Sequence, residues 1–118
     1  MTSSDAAGRR GAGWTFLSNH AHVLVALGRD PSARIRDLAL QVGITERTVL
    51  MILADLEHEG ILERIREGRR NRYRLHRKAA LRHPLEQHRT VGELLEMVEG
   101  SRAGRAARRM GNAARRRT

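Results

Sequence analysis

Cysteine is absent from this 118-residue chain, and aromatic residues nearly so, with one tryptophan, one tyrosine and one phenylalanine. The first absence excludes disulfides and thiolate metal sites. The second argues against a platform on which unpaired RNA bases stack. No apolar run approaches membrane-spanning length and no signal-peptide pattern opens the chain, so a soluble cytoplasmic protein is expected. Lysine is reduced to one residue against 22 arginines, which fits a GC-rich coding bias better than selection for guanidinium at every position. A chain this short holds one small domain and is too small for an enzyme with its own sizeable substrate cleft. No glycine-rich phosphate loop, catalytic carboxylate pair or nucleophile arrangement appears, so no catalytic residue and no cofactor is assigned.

Positive charge is what the chain has in excess, a formal +10, and it is unevenly placed. Residues 101–118 hold seven arginines and no acid, residues 1–13 add a single net charge, and about +2 is left for 14–100. The high isoelectric point is therefore mostly a property of the tail. Residues 1–13 read as a disordered leader and 101–118 as a disordered tail, both poor in anything to bury. Residues 14–100 form the expected domain.

Within it, Ser18 caps a helix running to about Gly28, with Leu17, Ala21, Leu24 and Leu27 on one face and Asp30-Pro31 at its end. Ala33 to Ile35 is expected as a short strand. Leu38, Ala39 and Val42 give a helix over Arg36 to Val42 one apolar face, and Gly43 stops it. Thr45 is placed to cap a second helix over about Glu46 to Glu59, whose buried stripe is Val49, Ile52, Leu53 and Leu56, with Gly60 at its end. Two helices joined by Gly43, Ile44 and Thr45 fit a helix-turn-helix. A helical hairpin that touches no nucleic acid would show the same pattern.

Behind the second helix the pattern changes to that of a β-hairpin. Ile61 to Arg66 is a strand candidate, Glu67 to Asn71 a loop around Gly68, and Arg72 to His76 a second strand. Period two sets Ile65, Tyr73 and Leu75 on one face and Arg64, Arg66, Arg72 and Arg74 on the other. Between Arg64 and Lys78 eight basic residues face a single acid, Glu67. Such density repels itself unless solvent or a polyanion neutralises it, and guanidinium binds phosphate bidentately. A merely solvated hairpin is the alternative.

The runs Val42-Gly43-Ile44-Thr45-Glu46-Arg47-Thr48-Val49, Asp55-Leu56-Glu57-His58-Glu59-Gly60-Ile61-Leu62 and Glu67-Gly68-Arg69-Arg70-Asn71-Arg72-Tyr73 resemble the turn, recognition-helix exit and wing of bacterial winged helix-turn-helix regulators of the MarR and ArsR kind. The similarity covers roughly Ser18 to His76, about half the chain. It implies a mainly α fold with a small β-wing, and a homodimer on double-stranded DNA at the nucleoid. The second helix would lie in the major groove, and the wing on the minor groove or flanking phosphates. The chain departs from the pattern by carrying Leu50, Met51 and Asp55 at exposed helix positions, and by lacking the cysteines on which ArsR-type metal sensors mostly rely.

Candidate DNA-contacting residues are Thr45, Glu46, Arg47, Thr48 and Met51 on the second helix, with Arg64, Arg66, Arg69, Arg70, Asn71, Arg72 and Arg74 in the wing. Arg47 suits guanine and Glu46 cytosine, Thr48 can donate to phosphate, and apolar groups can pack on thymine methyls. Further on, Thr90-Val91-Gly92-Glu93 is a capping box opening a helix through Glu99. Its stripe of Val91, Leu94, Leu95 and Val98, together with Trp14, Phe16 and Leu17, is the candidate dimer interface. The same stripe packing on its own domain is the alternative. His20 and His22 lie two apart on a helix, while His83 and His88 flank a loop and a helix start. Neither pair has metal-ligand spacing, and no metal is assigned. The competing function is a non-catalytic winged helix for protein contact, or one that coats DNA with little sequence preference. No effector is legible.

Overall fold

A computed structural model describes residues 13–100, so the leader up to residue 12 and the arginine-rich tail over 101–118 lie outside the described residues. The elements are α1 (Asn19–Arg29), α2 (Ile35–Val42), α3 (Glu46–His58), β1 (Leu62–Glu67), β2 (Arg70–Leu75) and α4 (Val91–Glu99). Where the sequence reading draws one domain over 14–100, these residues form two compact units, one ending at Leu75 and the other starting at His76.

In the first unit α1 is the core helix. Ser18 caps it by accepting from the Ala21 amide at 3.3 Å, and the five consecutive residues from Val23 to Leu27 are all buried. That is more than the one face expected, because α1 packs on α2, α3 and β2 together. Leu27, Leu38, Ile52 and Leu53 are among the most deeply buried side chains, each worth about 1.5–3 kcal/mol of transfer free energy.

Two Gly-Ile pairs end α2 and α3. Gly43 takes φ +83°, a left-handed conformation that costs a Cβ-bearing residue energy, and the Ile44 amide reaches back to the Ala39 carbonyl at 3.1 Å. Gly60 and Ile61 close α3 in the same way, the Ile61 amide donating to Leu56 O at 3.0 Å. Thr45 starts α3 by accepting from the Thr48 amide at 3.0 Å. The inner stripe of α3 is Val49, Ile52, Leu53 and Leu56, all buried.

β1 and β2 pair antiparallel and are joined by only Gly68 and Arg69, with Gly68 at φ +62° as two-residue hairpin turns require. The turn is shorter than the loop expected over Glu67 to Asn71 because Glu67 and Arg70 already pair. The register also corrects the faces. Directly opposed residues share a face, so Leu62, Arg64 and Arg66 lie with Leu75, Tyr73 and Asn71, whereas Glu63, Ile65 and Glu67 lie with Arg74, Arg72 and Arg70. Ile65 thus sits among arginines and is only half-buried, and Tyr73 is the buried anchor of the other face. The strand expected over Ala33 to Ile35 does not form, since α2 takes the chain up at Ile35 and leaves too few extended residues for a ladder. The loop before α2 instead meets the wing two residues earlier, through the bond from Tyr73 N to Pro31 O at 2.9 Å.

In the second unit, residues 76–90 double back onto the start of α4. Ala80 and Thr90 form an isolated bridge, and the Val91 and Gly92 amides donate to Ala79 O and Arg77 O, both at 2.8 Å. The capping box forms as expected: the Thr90 amide donates to Glu93 Oε1 at 2.9 Å and the Glu93 amide to Thr90 Oγ1 at 3.2 Å. The Thr90 amide, and then the Arg89 guanidinium, hold the Glu93 carboxyl below its ordinary range. Val91 and Leu95 are each 1% exposed in the single chain. Both are therefore covered within the single chain. Leu94 is half-buried, and Met97 and Val98 are exposed.

Candidate nucleic-acid interface

The outward face of α3 begins with Glu46 and Arg47 in the first turn and continues through Leu50, Met51, Ala54, Asp55 and His58, all exposed. Among the described residues Arg47 has no hydrogen-bond or ion-pair partner. Its neighbours are more occupied. The Thr45 and Thr48 hydroxyls bond each other at 2.9 Å, so both candidate contacts already serve the helix start. Asp55 Oδ2 meets His20 Nε2 at 2.9 Å, tying α3 to α1. That gives an otherwise odd acid on the exposed face a structural role.

The wing is less free than its arginine count implies. Arg64 Nη2 lies 2.8 Å from Glu57 Oε1, Arg74 Nη1 lies 3.4 Å from Glu63 Oε1, and Arg72 Nη1 lies 3.7 Å from Glu67 Oε2. Arg66 Nε donates to Gly68 O at 2.8 Å and Arg70 Nη2 to Ser32 O at 2.6 Å. Arg70 thereby holds the wing to the α1–α2 loop. A count over Arg64 to Lys78 finds one acid because Glu57 and Glu63 precede the window, yet register and packing bring them to Arg64 and Arg74. Exposed pairs of this kind are worth about 0–1 kcal/mol each, so phosphate can compete for these arginines. Asn71 is half-buried opposite Arg66. Arg69, at the tip, is the wing arginine with no partner among the described residues.

Sequence reasoning passed over Arg34 and Arg36. Both are exposed and without a partner among the described residues. Arg34 is the N-cap of α2 and makes no side-chain capping bond. Cations are disfavoured at a helix N-terminus by the macrodipole, and Asp37 supplies the expected compensating acid there. The legible signal was the mismatch itself, two arginines where a helix start prefers acids. Among the described residues no three metal-type ligands gather. His83 is used locally, its Nδ1 accepting from the Leu85 amide at 3.0 Å.

Two helices joined by a tight turn, the second followed by a two-stranded basic hairpin, define a winged helix. No protein-family model matches the chain. A riboflavin kinase of Thermococcus kodakarensis is 49% identical over 45 residues, 38% of this chain. The match spans about a fifth (21%) of that kinase's length. Among solved structures, the PcaV transcriptional regulator from Streptomyces coelicolor in complex with its natural ligand is 22% identical, with a TM-score of 0.45 over 83% of this chain and 76% of that one. A second structure of that regulator gives 25% identity and a TM-score of 0.44 over 83% and 79%. No helix among the described residues is long and apolar enough to cross a membrane.

Proposed function

We propose that this winged helix binds double-stranded DNA as a homodimer and regulates transcription, as the resemblance to MarR- and ArsR-type regulators implies. α3 enters the major groove while the wing lies on the minor groove or flanking phosphates. The observation that carries the reading is the distribution of unengaged cations in the first unit, among its described residues: Arg34 and Arg36 at the start of α2, Arg47 in the first turn of α3 and Arg69 at the wing tip. Those are the parts of a winged helix that reach DNA, because the first helix of the pair crosses the backbone and the second enters the groove. No enzymatic step, cofactor or metal belongs to this reading.

The homodimer rests on exposed apolar groups. Trp14 and Phe16 are 65% and 92% exposed and stack edge to face with ring centroids 4.9 Å apart, and α4 separately exposes Met97 and Val98 beside half-buried Leu94. Sedimentation of Leu94→Glu/Met97→Glu tests it, with a monomer expected. A dimer that survives both changes places the interface elsewhere.

For DNA itself the test is competition between a selected duplex and bulk DNA at fixed salt. Preference for the selected duplex supports a regulator, and equal binding supports the coat. The second reading, a winged helix for protein contact or general coating, is favoured by the exposure of Leu50 and Met51.

A further inference from the structure

Leu50 and Met51 are the two large apolar side chains on the outward face of α3, 51% and 59% exposed. They follow Arg47 at offsets of three and four, and Ala54 follows at seven, so these residues form one stripe. Arg47 to Ala54 spans about 10 Å along the axis, or roughly three base-pair steps at 3.4 Å each. Resting on the proposed duplex-DNA reading, we infer that Leu50 and Met51 read thymine through its C5 methyl group, so that the chain selects sites carrying thymine next to the base that Arg47 contacts.

The groups beside the stripe narrow the choice. Thr48 is bonded to Thr45, and Asp55 is held by His20. The stripe between Arg47 and His58 is Leu50, Met51 and Ala54, whose side chains carry no donor or acceptor with which to read a guanine, adenine or cytosine edge. Thymine presents the one apolar group in the major groove. Leu50 or Met51 set against guanine O6 and N7 would instead desolvate acceptors without replacing their hydrogen bonds, a cost that disfavours such sites. The occupant is DNA rather than an apolar protein surface because Arg34, Arg36 and Arg69, unpaired among the described residues, flank the stripe's helix with charge that complements a phosphate backbone.

The test is selection on a duplex pool with a randomised core two helical turns long, copied once with thymidine and once with deoxyuridine triphosphate. Uracil lacks only the methyl. The best duplex from the thymine pool should bind about fourfold more weakly for each critical thymine replaced by uracil, as one buried methyl group predicts. Leu50→Ala/Met51→Ala should bind the thymine and uracil forms alike, at the weaker level. Alanine favours the helix, so the variant should fold, and its unfolding curve checks that. Equal binding of thymine and uracil duplexes by the unmodified chain overturns the methyl reading while leaving DNA binding intact. Discrimination retained by the double variant also overturns it, and so does a changed oligomeric state. No measurable binding to either pool overturns the proposed function with it.

Discussion

α3 and the wing differ in a way that their charge counts conceal. The wing carries six arginines over Arg64 to Arg74 and engages five of them in ion pairs or backbone hydrogen bonds, leaving Arg69 at the tip. α3 carries one arginine and leaves it unengaged. A cation already held by a carboxylate must give up that partner to take a phosphate, so its gain on binding is a difference, whereas Arg47 and Arg69 exchange only water. Available charge, rather than total charge, is what the two regions offer a polyanion.

The largest effect separates the inner from the outer face of α3. Leu53→Ala empties a fully buried position and should cost about 2–5 kcal/mol, whereas Leu50→Ala, three residues earlier and half exposed, should stay within about 0.5 kcal/mol. Denaturant unfolding of the two variants checks this, and comparable losses would mean that Leu50 is packed in solution.

Next comes Arg47→Ala. It should weaken binding to the preferred duplex by tenfold or more, corresponding to loss of about 1–3 kcal/mol of base discrimination, and leave bulk-DNA affinity nearly unchanged. Equal losses on both would make Arg47 a phosphate anchor and bring α3 closer to the wing in character.

Smaller still is the contrast inside the wing. Arg69→Ala should flatten the dependence of log affinity on log salt by about 0.9 if it neutralises one phosphate. Arg74→Ala should flatten it less, since Glu63 already partners that guanidinium. Identical slope changes would show that the ion pairs open on DNA without cost, and the distinction between engaged and free arginines would fail.

The smallest effect lies at α4, where an engaged carboxylate can be titrated. The Glu93 carboxyl is held below its ordinary range, so it stabilises the helix start at pH above the unfolded-chain value, and that support is lost as pH falls through the folded one. Glu93→Gln should remove the acid-dependent part of α4 unfolding, followed through the Thr90 amide. An unchanged acid response in the variant would assign it to another group.

The helix ends were legible because their chemistry is local. Ser18, Thr45 and Thr90 cap within three residues of themselves, and Gly43 and Gly60 close helices through bonds five residues long. The stripe of α3 was likewise readable from its spacing. The hairpin was found, but its register was not, and a one-residue difference in pairing moved Ile65 from the core face to the face with Arg72. The α4 stripe was readable as apolar, yet nothing in its spacing separates Val91 and Leu95, buried, from Met97 and Val98, exposed.

By itself, then, the sequence determined where helices start and stop, which α3 residues turn inward, and that a basic hairpin comes after α3, because those rest on interactions a few residues long. Only the tertiary structure decided which charges remain available. Arg64 meets Glu57 seven residues away, Arg74 meets Glu63 eleven away, and Arg70 meets Ser32 thirty-eight away. Coulomb energy and hydrogen bonding depend on distance in space, and that distance exists only once the chain has folded.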